Sequence, residues 1–348
     1  PWLALSWELV TPTEWHFKLR PNVKFSNGEP FNADAVKATF DRLRTDEALG
    51  FLWHNQMIFY PRVEVVDDLT VAIHTDSPHA MVAAYLSTLY FAAPAHVNEV
   101  GFQGLSDAPV GTGPFIAERW GPDKVTLRAN RDSWIAPKVD GLEAIFVPDA
   151  SARLNALETD QIDIATVIST DQIGLLERSG HRVEMRNPTR VLVMALQTQE
   201  PDQPLADVRV RQALNHAVNR ELITEVLLAG LVKPSSQPAT KMALGFDPTL
   251  KPYTYDPDKA RQLLAVAGYP DGFAFSVETV AGFLPNDTTI LQQIASDLSR
   301  VGVTMDVSLI TYPQLVRATL RGELSGEALM ADFFNNTGDA LRPLTRTV

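Results

Sequence analysis

Phe273-Ala274-Phe275-Ser276-Val277 reads as a strand, the stretch 288–300 as a helix, and 303–310 as a second strand. Strand, helix and strand in this order form a βαβ unit, which implies a parallel pair joined by a right-handed crossover. Just upstream, a helix is punctuated at both ends. Asp256 stands at the N-cap, Pro257 at the first helical position and Gly268 past the last turn. A longer helix is predicted over 207–230, with Leu214, Ala217, Val218, Leu222 and Val226 on one stripe. Val191-Leu192-Val193-Met194-Ala195-Leu196 is almost wholly apolar, the composition of a strand buried on both faces.

The beginning of the chain has a different texture. Glu14-Trp15-His16-Phe17-Lys18-Leu19-Arg20 alternates with period two, as a half-buried strand does. Asn27-Gly28 supplies a tight turn, and Asn32 caps a helix to about Arg44 with Val36, Phe40 and Leu43 on one face. Val63-Glu64-Val65-Val66 and Thr70-Val71-Ala72-Ile73-His74 flank Asp67-Asp68 as a hairpin. Trp2, Trp7 and Trp15 are expected in the core of this α+β unit. A loop is expected from Gly101 to Gly113, followed by strands near 115–120, 124–129 and 142–147. Asp149 then caps a helix bearing Leu154 and Leu157, and a further helix is expected near 171–179.

Composition limits what such a chain does. Its 348 residues exceed what one core usually serves, so two or three domains are expected. A net charge of −12 gives no basic face for phosphates and argues against a nucleic-acid partner. The apolar runs fall far short of the ~20 residues of a membrane helix. Zero cysteines exclude thiol nucleophiles, disulfides and iron–sulfur clusters. Pro1-Trp2-Leu3-Ala4 carries no leader pattern, and both ends read as cut.

Catalytic motifs are wanting. Ser325 lies in Gly322-Glu323-Leu324-Ser325-Gly326, which is not a nucleophile elbow. Gly111-Thr112-Gly113 lacks the rest of a dinucleotide or phosphate loop and reads as a structural turn. The seven histidines form no zinc pattern, and His74 and His79, on either side of Pro78, read as loop residues. No catalytic residue, metal site or cofactor is therefore expected. Trp53, beside His54 in a polar stretch, has two readings: core packing, or the lining of a ligand cleft.

Four segments, in order, carry a resemblance. They are Leu3-Ala4-Leu5-Ser6-Trp7-Glu8 with Phe17-Lys18-Leu19-Arg20-Pro21-Asn22-Val23-Lys24-Phe25-Ser26-Asn27-Gly28-Glu29-Pro30-Phe31; Gly111-Thr112-Gly113-Pro114-Phe115 with Asn130-Arg131-Asp132-Ser133-Trp134; Asp207-Val208-Arg209-Val210-Arg211-Gln212-Ala213-Leu214-Asn215-His216-Ala217-Val218-Asn219-Arg220; and Tyr255-Asp256-Pro257-Asp258-Lys259-Ala260-Arg261-Gln262-Leu263-Leu264 with Ala267-Gly268-Tyr269. On these the chain resembles the family 5 extracellular solute-binding proteins, the oligopeptide-, dipeptide- and nickel-binding components of ABC importers.

The resemblance implies an α/β fold of the periplasmic-binding-protein type, a two-lobed clamshell with an additional small α+β domain. On that map residues 1–100 are the extra domain, 101–190 part of the first lobe and 191–348 the second lobe. Family members are longer, with an N-terminal strand before Leu3 and a C-terminal return into the first lobe. The chain is thus expected to be truncated at both ends, with an unpaired sheet edge. The implied function is extracytoplasmic capture of short peptides or a related solute and delivery to an ABC permease in the inner membrane, without enzymatic activity. The implied setting is the periplasm or the cell surface, as a monomer. The alternative is a regulator or enzyme that uses the same clamshell as a ligand-sensing domain.

In peptide-binding members an aspartate of a W-x-x-D segment pairs with the peptide α-ammonium. The matching stretch is Leu329-Met330-Ala331-Asp332-Phe333, with leucine in place of the family's tryptophan, so Asp332 is the implied ammonium partner. Substrate-binding candidates are therefore Asp332, its neighbours Leu329, Met330, Ala331 and Phe333, and Trp53. Arg317 and Arg321, four apart, read as one exposed helix face.

Overall fold

The computed structural model describes residues 2–45, 62–185, 190–280, 284–315 and 326–334. The chain divides into two compact units, Pro1–Val147 and Pro148–Val348. Trp53, Arg317, Arg321 and Ser325 lie outside the described residues.

In the first unit, β1 (Ala4–Thr11), β2 (Glu14–Leu19), α1 (Ala33–Leu43), β3 (Arg62–Asp67) and β4 (Thr70–His74) form an antiparallel sheet of order β1-β2-β4-β3 with one helix against it. The period-two pattern of β2 buries Phe17 and Leu19 and exposes Lys18 between them. Asn32 accepts the Ala35 N–H at 3.1 Å, satisfying one orphan donor of α1, and Val36, Phe40 and Leu43 face the core. The hairpin over Asp67-Asp68 forms as β3–β4.

The tryptophan expectation is corrected here. The core is built on phenylalanines, Phe17, Phe25, Phe31 and Phe40; of the three expected tryptophans Trp15 packs against it, joined by Trp134 from farther along the chain. Trp2 is 68% and Trp7 48% exposed. β1 is an edge strand, so much of its apolar side has no partner layer. Trp2 instead packs edge-on against Trp134 at 5.3 Å.

α2 (Val82–Leu86) and α3 (Pro94–Asp107) follow, and α3 corrects the loop expected from Gly101. The chain stays helical to Asp107, kinked at Gly101, where φ is 68°. Glu29 anchors the start of α3 by accepting the N–H groups of Ala95 (2.7 Å) and His96 (3.0 Å). Partial burial raises the affinity of that carboxyl for its proton, but these donors and Asn27 outweigh it and hold it below the usual range. β5 (Phe115–Trp120), β6 (Lys124–Ala129) and β7 (Gly141–Ile145) then form a three-stranded antiparallel sheet. The Gly111-Thr112-Gly113 turn is structural: its three carbonyls accept from Ser26 N, Trp134 Nε1 and Asn130 Nδ2.

The second unit contains α4 (Ala150–Glu158), α5 (Ile173–Arg178), β8 (Arg190–Leu196), α6 (Val208–Ala217), α7 (Pro257–Ala267), β9 (Phe273–Thr279), α8 (Asp287–Ser299), β10 (Val303–Leu309) and β11 (Ala328–Phe334). The sheet order is β10-β9-β11-β8. β9 and β10 are parallel and in register from Phe273↔Val303 to Thr279↔Leu309, with α8 as the crossover, as the βαβ pattern predicts. Asp149 and Asp256 cap α4 and α7 as expected. The core joins Val210 and Leu214 of α6, Leu264 of α7, Phe275 and Val277 of β9, Leu298 of α8 and Met305 of β10.

Two expectations are overturned in this unit. Among the described residues β8 is an edge strand with β11 as its single neighbour, and it is only half-buried. Its apolar run reflects packing on the sheet's inner face rather than burial on both. The helix predicted over 207–230 breaks at Val218, whose backbone is extended. The Asn219 N–H turns away to the buried Asp297 carboxylate at 2.9 Å, while the Asn219 side chain caps a new short helix through the Leu222 N–H. A π-helical turn, Ile223–Leu227, ends that helix. Arg220 is held beside it by Asn215, and burial lowers its guanidinium pKa.

Candidate ligand-binding site

In an open α/β sheet, ligands bind beyond the carboxyl ends of the parallel strands, where helix N-termini and loops converge. The carboxyl end of β9 has that character. β11 pairs parallel with β9 only at Ala328↔Val277 and Leu329↔Glu278, and then runs on against β8 alone. Extending the parallel register sets Asp332 two residues past the end of β9, roughly 7 Å at about 3.3 Å per residue. Its backbone lies opposite Leu192 of β8.

The base of this end is tightly built. Glu278 and Thr279, the last residues of β9, are each 5% exposed. Gly326 passes so close that a Cβ there would stand 3.0 Å from Glu278 Cγ and 3.3 Å from the Ala328 carbonyl. β11 begins too late to pair with Ser276, and a side chain takes over that role. The Glu327 carboxylate accepts the Ser276 N–H at 2.9 Å, and Ser276 Oγ accepts the Glu327 N–H at 3.1 Å. On the other flank, Gln197 donates from its backbone to the Glu327 carbonyl and from its side chain to the Gly326 carbonyl. Asp287, buried in the first turn of α8, accepts from Leu284 N, Thr288 N and Thr288 Oγ1. The acceptors of this base are occupied by donors of the protein itself, which fixes the backbone at the end of β9.

The candidates of the 329–333 stretch are distributed along β11. Leu329 and Met330 are buried, and Met330 belongs to the apolar core. Ala331, Asp332 and Phe333 continue the strand past β9. Glu278, Thr279 and Gly326 were not singled out from the sequence. The signal for the first two was their place at the end of the first strand of the βαβ unit, whereas Gly326 has none, because its need arises from Glu278, far away in the chain. Among the described residues, no group of three or more His, Cys, Asp or Glu is placed to hold a metal ion. His74 lies 3.5 Å from Glu64 and His79 accepts from Met81 N, as loop and strand-end residues do. Among the described residues no helix is long and apolar enough to cross a membrane.

Comparison with known proteins bears on this arrangement. The sequence profile of the family described as bacterial extracellular solute-binding proteins, family 5 Middle, matches residues 1–344. The chain belongs to family 5. The glutathione-binding protein GsiB of Shigella boydii serotype 4 (strain Sb227) is 30% identical over 342 aligned residues, covering 93% of this chain and 64% of GsiB. The chain thus spans less than two thirds of the length of that relative. Among solved structures, the dipeptide-binding protein from Pseudoalteromonas sp. SM9913 in complex with Met-Leu superposes with a TM-score of 0.85 at 23% identity, over 99% of this chain and 73% of that one. NikA from Brucella suis in complex with Fe(III)-EDTA gives 0.74 at 28% identity, over 96% and 70%. The α/β fold of this family 5 chain is therefore that of the two-lobed periplasmic binding proteins.

Proposed function

We propose that this chain is the capturing part of an extracytoplasmic solute-binding protein of an ABC importer, taking short peptides or a related small solute and delivering it to a membrane permease. The observation that carries the reading is the overshoot of β11, which sets Asp332 beyond the carboxyl end of β9 in a family 5 chain. Asp332 is the partner of the solute's ammonium, and Leu329, Ala331 and Phe333 contribute the strand that carries it. The named ligands of relatives, glutathione for GsiB and Met-Leu for the Pseudoalteromonas protein, both bear a free ammonium and support this class. The division into an extra domain (1–100), a first-lobe part (101–190) and a second-lobe part (191–348) belongs to this proposal, as do a periplasmic or surface location and a monomeric state.

The test is calorimetric titration and thermal melting with glutathione, Met-Leu and a pool of di- to pentapeptides. A solute at about 100 times Kd stabilises the native state by about 2.7 kcal/mol, which a melt resolves. Asp332→Ala is expected to weaken binding by about 2–5 kcal/mol, because the ammonium is left without its counter-charge. Equal affinity in that variant removes Asp332 from the site, and no melting shift with any of these solutes removes the peptide class.

A further inference from the structure

Three of the five non-glycine residues with positive φ among the described residues, Val167, Ala229 and Asn286, stand within three residues of one set of hydrogen bonds. Val167 has φ 56°, an outlier for a β-branched side chain. Three residues on, the Thr170 N–H donates to Asn286 Oδ1 at 3.2 Å and its hydroxyl to the Leu227 carbonyl at 2.9 Å. Asn286 itself has φ 61°. It stands at the N-cap of α8 yet makes no side-chain bond to its own helix, since it turns that oxygen to Thr170 instead. Leu227 ends the π-helical turn, and Ala229, with φ 51°, follows it. From the other side the Arg153 guanidinium donates to the Val167 carbonyl at 2.9 Å and to the Pro148 carbonyl at 2.8 Å.

Strain of this kind persists only where the surroundings over-determine the backbone, and both strain and π-helical turns concentrate at functional sites. The place is significant. α8 crosses from β9 back to β10, so its first turn lies at the carboxyl end of β9, the end past which β11 runs on to Asp332. Thr170 is tied to that end from 116 residues away in sequence.

We infer that the segment 167–170 is a positioning element of the solute site, latched by Thr170 to Asn286 and Leu227 and held in its strained form by that latch together with Arg153. The inference rests on the solute-binding reading. The latch sets the backbone that faces the ligand; without it, Val167 relaxes to an unstrained φ and carries the segment off the site.

Calorimetry with glutathione and Met-Leu on the whole chain tests it. Thr170→Val, nearly isosteric, removes the hydroxyl donor and is expected to bind about five- to tenfold more weakly. Asparagine tolerates the left-handed region, so Val167→Asn removes the strain the latch opposes. The double variant V167N/T170V is therefore expected to regain most of the lost affinity, a coupling that a purely packing role does not produce. Unchanged affinity in T170V, or a double variant no better than T170V, overturns the latch. V167N alone is expected to melt above the wild type, and a lower melt overturns the strain. Wild type that binds neither probe removes glutathione and Met-Leu as solutes instead. The latch is then decided by melting: a drop in T170V restored in the double variant supports it, and no drop overturns it.

Discussion

Asp207 shows how one side chain does two jobs in this chain. It caps α6 by accepting the Arg209 N–H at 2.7 Å, and it also receives the Arg209 guanidinium, whose Nε lies 3.0 Å away. The Arg209 side-chain and backbone bonds hold its carboxyl at about 2, below the ordinary 3.8. A carboxyl with a depressed folded-state pKa stabilises above its unfolded value and loses that contribution as pH falls through the folded one. Asp207→Asn is therefore expected to melt below wild type by a constant margin above pH ~5, a margin that shrinks from about pH 4 and disappears only toward pH ~1, below both values. A margin that does not change with pH assigns the effect to packing. Gly326 makes a second residue-scale case. Gly326→Ala forces a Cβ against Glu278 Cγ and the Ala328 carbonyl, with overpacking expected to cost about 1–3 kcal/mol in a urea titration and to weaken solute binding with it. A stable variant with wild-type binding takes this contact out of the site.

At the scale of elements, the parallel pair depends on how its two strands are launched. Gly272 precedes β9 with φ 82°, and a Cβ there would collide with the Gly302 carbonyl, just ahead of β10. Gly272→Ala thus meets a backbone clash and a disfavoured φ together, and is expected to lose more than about 2 kcal/mol, measured as a shift in urea midpoint. A loss under ~1 kcal/mol means the two strand starts separate at little cost. The broken helix after α6 follows another rule. Apolar periodicity continued through 218–226, but Asn219 found stronger partners in the buried Asp297 and in its own capping bond. Local hydrogen bonds won over a stripe because the stripe states only which face is apolar, not whether the backbone continues.

For the molecule as a whole, the distribution of apolar surface matters most. In the first unit, Trp120, Leu142 and Phe146 project from one side of the β5-β6-β7 sheet and are 50%, 47% and 72% exposed. Leu5, Trp7 and Leu9 add a second exposed row on the edge strand β1. Apolar patches and open edges of this kind bind other surfaces. The isolated chain is expected to bind an apolar dye and scatter light at high concentration. A double variant Leu142→Glu with Phe146→Glu is expected to reduce both with little change in melting temperature. Undiminished scattering moves the sticking surface to β1.

The parts legible from the residues alone were those governed by short-range rules. The βαβ unit, the Asn32, Asp149 and Asp256 caps and the β3–β4 hairpin each rest on periodicity or on a side chain bonding a backbone group a few residues away, and all four motif segments fall within the described residues. Burial in the larger sense was not legible. The tryptophans near the start and the apolar run of β8 suggested interior positions, but which side of a strand is covered depends on the strand order, and both β1 and β8 are edges. The site divides the same way. Asp332 was reached through a motif, while its position past β9 needed the register of β11, and the meeting of Glu278 with Gly326 and of Thr170 with Asn286 arises only when distant segments fold together. Local hydrogen bonding and periodicity are written residue by residue, whereas edges, close approaches and strain exist only between elements brought together in space.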